Sequence, residues 1–231
     1  MAKKNQTEET IVDVQEVYTK TEVFVDRNRK ALTIGLAVVA LVVISFFAYQ
    51  KLLVEPQAQE AQNNIWQAQM YFEQDSMDLA LNGDGLNMGF EEVAEEFSGT
   101  ATGNLAHYYA GIIYRDNGDY EVALDHFKAA ADLKDNAISV IAMGNVGDMY
   151  AEMGEVAQAA DWMEKTAKKA ASSGSEDFTA PMYYYKAATL NVALENYSKA
   201  QSLLEVIVND YPHSAEYRKA AKESKALLRY L

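Results

Sequence analysis

The residues of this chain whose types could carry chemistry are its histidines and its paired carboxylates. His107, His126 and His213 could serve as acid–base groups or metal ligands. They lie far apart in the sequence, and none has a second ligand at metal-site spacing. They read as surface or interhelical imidazoles. Glu91–Glu92 and Glu95–Glu96 could supply paired carboxylates for general acid–base work. They fall beside Val93 and Phe97 on a helical pattern, so they read as a solvated helix face. The glycines of "GNVGDMYAEMG" (144–154) follow no strand, which removes the context a phosphate-cradling loop needs. The chain has no cysteine, which excludes disulfides, thiolate metal sites and a cysteine nucleophile. The expectation is therefore no catalytic, cofactor or metal site: a binding protein, not an enzyme.

The elements that position any surface are read from periodicity. Gly111, Tyr114, Gly118, Tyr120, Ala123, Phe127 and Ala130 form a pattern: small, bulky, turn, bulky, small, bulky. It recurs 36 residues on as Gly147, Tyr150, Gly154, Val156, Ala159, Met163 and Thr166. It recurs again after 41 more as Ala188, Asn191, Glu195, Tyr197, Ala200, Leu204 and Ile207. A hairpin of two helices cannot bury its apolar stripe alone, whereas stacked hairpins can, and about three are needed for stability. A fourth, degenerate copy is expected before these, because "GFEEVAEEF" (89–97) resembles "LLEVIVNDY" (203–211). The span 51–81 reads as one long helix with Pro56 in an early turn, and "NGDG" at Asn82–Gly85 reads as the turn that ends it. "SSGSEDFTAP" (172–181) reads as an inserted loop. The last helix is expected over 214–231, with Tyr217, Ala221, Leu228 and Leu231 on its packed side.

Residues 31–49, "ALTIGLAVVALVVISFFAY", hold no charge over a length close to that of a bilayer core. A buried core helix would show a polar face, and a cleaved leader would have a shorter apolar run followed by small residues. An uncleaved membrane anchor is expected. Lys20, Arg27, Arg29 and Lys30 precede the span, and only Lys51 closely follows it, which places the N-terminus in the cytoplasm. The formal net charge of the chain is −14, and all of it falls after residue 30. Such acidity repels phosphate backbones, so no nucleic-acid partner is expected.

The repeat resembles the tetratricopeptide family. Gly111, Gly147 and Ala188 stand at its close-approach position. Ala123, Ala159 and Ala200 stand on the other side of that contact, with Tyr114, Tyr150, Phe127 and Leu204 at its bulky positions. The resemblance implies an all-α fold: an N-terminal transmembrane helix, then an α-solenoid of helix–turn–helix repeats. Residues 1–30 would be a cytoplasmic tail and 31–49 the span. Residues 50–103 would be a linker helix and degenerate repeat, 104–213 three repeats, and 214–231 a capping helix.

In that family the first helix of each repeat lines a peptide groove. Here the resemblance assigns Leu105, Tyr108, Tyr109 and Ile112, then Ile141, Asn145 and Asp148, then Met182, Tyr185, Lys186 and Thr189 to the groove. The alternative is that several of these, notably Tyr183–Tyr185, only fill the core. The architecture is also similar to the YfgM family of ancillary translocon subunits. That likeness implies a bacterial inner-membrane protein with a periplasmic C-terminal domain. Its partners would be the SecYEG channel, a membrane-anchored chaperone such as PpiD, and unfolded exported chains, with no small-molecule substrate. A scaffold for another envelope complex is the alternative.

Overall fold

A computed structural model describes residues 14–132, 137–173 and 176–231. The first 13 residues of the expected tail lie outside it, as do residues 174–175 of the expected 172–181 loop. Among the described residues, all regular structure is helical. The chain divides into two compact units, one up to Pro56 and one from Gln57.

The first unit is dominated by α1 (Val14–Tyr49), which begins well before the uncharged run. It is the one helix among the described residues long and apolar enough to cross a membrane, and none of its most apolar stretch is buried in the protein. Leu36, Leu41, Ile44 and Phe47 are all exposed. A water-soluble core helix would bury such a face. Gln50–Val54 form a π turn in which the Glu55 N–H donates to the Gln50 carbonyl. Pro56 follows directly. Its ring has no N–H and crowds the carbonyl four residues back, and a widened turn relieves that crowding.

The second unit begins within α2 (Glu55–Glu73) and continues through α3 (Met77–Asn82), α4 (Phe90–Glu96), α5 (Ala101–Asn117), α6 (Tyr120–Ala131), α7 (Ala137–Glu152), α8 (Val156–Ser172), α9 (Glu176–Ala193), α10 (Tyr197–Asp210) and α11 (Tyr217–Leu227). From α3 onward each helix packs on the next. The bends share one hydrogen-bond pattern. At the α5–α6 bend Gly118 takes a left-handed conformation, its N–H donates to the Arg115 carbonyl at 3.0 Å, and the Asp119 N–H donates to the Tyr114 carbonyl at 2.9 Å. This pair of hydrogen bonds closes the last helical turn and satisfies carbonyls that would otherwise be orphaned. Gly154 and Glu155 repeat it onto Ala151 and Tyr150, and Glu195 and Asn196 onto Val192 and Asn191.

A further bend of the same kind corrects the reading of 51–81 as one helix. The helix breaks at Gln74–Ser76: the Ser76 N–H donates to the Tyr71 carbonyl at 2.9 Å, and Asp75 is left-handed with φ 60°. Buried Ala68 and Ala80 and half-buried Tyr71 then stand about this bend as Gly111, Ala123 and Tyr114 stand about Gly118. The "NGDG" segment ends α3, with Gly83 (φ 79°) as its cap, and leads into a loop before α4. The Asp84 carboxylate organises it, accepting from the N–H groups of Leu86 (2.8 Å) and Asn87 (2.7 Å), from Asn87 Nδ2 (2.9 Å) and from the Tyr71 hydroxyl (2.7 Å). These donors hold its carboxyl far below the ordinary carboxylate range. Beyond the loop, α4 buries Phe90 and Val93 as α10 buries Leu204 and Ile207.

At the close-approach positions the nearest atoms belong to large side chains of the next helix. A Cβ on Gly111 would lie 2.8 Å from Cε1 of the fully buried Phe127, and one on Gly147 would lie 2.9 Å from Cε of Met163. The large side chain four residues beyond Ala123 or Ala159 on the next helix lies nearest the space the glycine leaves. The 172–181 insertion is shorter than read, because α8 extends to Ser172 and α9 starts at Glu176, with Pro181 buried in its second turn. The last helix is also shorter, and it is rotated from the expected face. It buries Ala220 and Leu227 and leaves Leu228 and Leu231 exposed, because small Ala220 allows close approach to α10.

Candidate functional site

The expected groove residues separate into two groups. Leu105 and Tyr109 pack against the core formed by α2–α5, and Tyr109 stacks on Phe90 with centroids 4.8 Å apart. Tyr108 and Ile112 pack on the neighbouring cluster around Phe127 and Val146. These four α5 residues are packing residues first. Leu105 and Tyr109 are both partly buried, and ring stacking against α4 helps to hold Tyr109.

The second group converges. Asp148 and Tyr185, Lys186 and Thr189 line one pocket of about 330 Å³, together with Ala151, Met163 and Leu190. Its walls come from α7, α8 and α9. Lys186 Nζ reaches both Asp148 carboxylate oxygens, at 2.8 and 2.9 Å, and ties α9 to α7. Both side chains are about 40% exposed (40% and 41%), so water screens the pair and its worth is at most about 1 kcal/mol. Its larger effect is to fix where a charge pair stands beside an apolar wall. Tyr185 forms the far side. Its hydroxyl donates to Glu223 of α11 at 2.5 Å, and Lys219 lies over its ring. Burial, then the Glu223 contact, pushes this phenol up to about 12, so it stays a donor across the ordinary pH range. Of the "YYY" run, Tyr183 and Tyr184 are buried and Tyr185 is the half-exposed member.

Ile141, two helical turns before Asp148 on α7, and Met182, one turn before Lys186 on α9, are exposed apolar residues, and Thr189 is exposed as well. Asn145 accepts a long hydrogen bond from Arg115 Nη1 at 3.5 Å, which links α7 to α5. The surface that results is apolar with a fixed acid–base pair. It is suited to gripping a side chain by burial while hydrogen-bonding its backbone.

Sequence reasoning missed a second constellation. Glu91 was read as solvated, and His107 and His126 as unrelated. In the fold, His107 Nδ1 lies 3.0 Å from His126 Nδ1, and His126 Nε2 lies 3.4 Å from Glu91. Glu91 also accepts from the Tyr114 hydroxyl at 2.5 Å, and the Tyr114 ring stacks on His126. The Tyr114 phenol is pushed up to about 12 by that bond, while the Glu91 carboxyl is lowered, first by the His126 hydrogen bond. His107 and His126 sit on the two arms of the Gly118 hairpin, a placement that makes them neighbours only once the angle between α5 and α6 is set.

Among the described residues, no group of three or more His, Asp or Glu side chains is placed to hold a metal ion. No protein-family model matches the chain, and no curated protein matches it in sequence.

Proposed function

We propose that this chain is a single-pass membrane protein whose solenoid of tetratricopeptide-like hairpins binds segments of other proteins on the exported side. The observation that carries this reading is the pocket bounded by Asp148, Tyr185, Lys186 and Thr189, with Ile141 and Met182 exposed on the same two helices. It is built mainly from the first helices of consecutive hairpins, with Met163 contributed by α8, it is largely apolar, and it offers one charged pair for orientation. Such a surface suits weak, adaptable contacts, because aromatic and methionine side chains accommodate varied partners. The uncovered apolar stretch of α1 supports the anchor, and Arg27, Arg29 and Lys30 support a cytoplasmic N-terminus. The same features support a place beside the protein-export channel, as an accessory subunit that holds emerging chains. An anchor there raises the local concentration of the binding surface at the exit without any nucleotide cycle.

Photo-crosslinking in cells tests this, with reporters at Ala37 and Val43 in α1 and at exposed Ile141 and Met182. Channel subunits at the first two sites and many different exported proteins at the last two are expected. One stable, unrelated envelope protein at all four sites would overturn the reading in favour of a dedicated scaffold.

A further inference from the structure

The Glu91–His126–His107 chain spans three helices and has a property that no binding groove needs. Two Nδ1 atoms 3.0 Å apart make a hydrogen bond only if one carries a proton and the other presents its lone pair. Glu91, on α4, favours a proton on His126 Nε2. His126 can therefore be neutral, accepting at Nδ1 from His107. It can also be cationic, donating to Glu91 with one nitrogen and to His107 with the other. Either state keeps the chain intact. A proton on both facing nitrogens leaves two N–H groups and two positive charges opposed, with no acceptor between them.

We propose that Glu91, His126 and His107 form a proton-counting latch that joins α4, α5 and α6, closed while the imidazole pair carries at most one extra proton and opened by the second. The surroundings leave this pair little other relief. Tyr114, on α5, is committed to Glu91, and Asp119, at the head of α6, faces Tyr114. From α2 and α3 the core presents Ala61, Ile65, Ala68, Ala80 and Leu81. On the α7 side, Arg115 is bonded to Asn145 and Lys128 lies over the Tyr150 ring. Glu91 is thus the carboxylate that the pair can use. It is engaged by His126, so it cannot neutralise His107 as well.

The direction of the pH effect follows by linkage. Burial, then the His126 charge, lowers the His107 value below the ordinary 6.5. The unfolded chain takes up a proton at that ordinary value while the folded chain resists it. The junction is therefore fully stable above about pH 6.5 and loses stability as pH falls from there through the lowered value. Opening would loosen α4, whose Phe90, Val93 and Phe97 are buried in the core.

The test is histidine ring ¹⁵N NMR on the full chain in detergent micelles, titrated from pH 8 to 5. Two separated, coupled steps for His107 and His126 are expected, with His126 reverting to a single step in His107→Gln. Hydrogen exchange of the amides in 91–97 and 104–110 is the second readout. After correction for intrinsic rates, protection should fall by about tenfold between pH 7.5 and 5.5, and His107→Gln should remove most of that fall. Independent single-step titration of both rings in the native chain would overturn the latch. So would an undiminished loss of protection in His107→Gln.

Discussion

Gly111→Ala sets two physical effects against each other, and the sign of the outcome decides between them. Gly111 is in the interior of α5, where replacing glycine by alanine stabilises a helix by about 1 kcal/mol. The new methyl, however, would lie 2.8, 2.9 and 3.1 Å from Cε1, Cδ1 and Cζ of Phe127. That ring has no exposed surface and is flanked by Tyr108, so it cannot swing away freely. Overpacking of this kind costs about 1–3 kcal/mol, and three ring atoms so close place it near the upper end. The net expectation is a destabilisation of about 1–2 kcal/mol, or a fall in Tm of about 3–6 °C for a unit of this size. Thermal unfolding of the full chain in detergent, followed by tryptophan fluorescence, measures it. In a Phe127→Leu background the shorter side chain makes room, and Gly111→Ala should become neutral or stabilising, a coupling of at least about 1 kcal/mol. If Gly111→Ala alone raises Tm by the 2–4 °C that helix propensity demands, the glycine–ring contact is not what defines this hairpin.

Three further outcomes follow from the same structure. Glu195→Gly should raise Tm by about 1–3 °C, because it removes a Cβ from a left-handed residue with φ 59°; unchanged or lower stability would mean that the bend is not held there. Glu91→Gln should flatten the acid limb of the stability profile: the native carboxyl is lowered, so its contribution is present above about 4.5 and lost as pH falls below that, and an unaltered limb in the variant would count against the His126 and Tyr114 contacts. Lys186→Met should change unfolding stability by less than about 1 kcal/mol, since the ion pair is half exposed, yet alter the crosslinked products at Met182; a large loss of stability instead would make the pair structural.

Much of the fold was legible in the chain because helix bends and close packing restrict residue choice. Gly118 and Gly154 announce themselves, since an abrupt left-handed residue after a helical pattern favours glycine. The bend at Asp75 does not, because an aspartate in that conformation is indistinguishable in sequence from one on a helix surface, so 51–81 read as continuous. One pocket was legible in the helical period. Asp148, Tyr185, Lys186 and Thr189 do share a pocket, while Leu105 and Tyr109 differ from them only in which neighbour covers them. Helical period tells which residues share a face; it does not tell what packs on that face.

By itself the sequence determined the helical character, the uncharged run of 31–49, the acidic balance beyond it and the small-and-bulky rhythm of the hairpins. All of these depend on local periodicity and composition, which a single chain displays in full. Tertiary structure alone decided that Phe127 closes on Gly111, that Tyr109 turns to Phe90, and that His107, His126 and Glu91 meet across three helices. Those are distances between residues remote in the chain. They are set by the angle at which one helix lies on the next, and no spacing along the sequence encodes that angle.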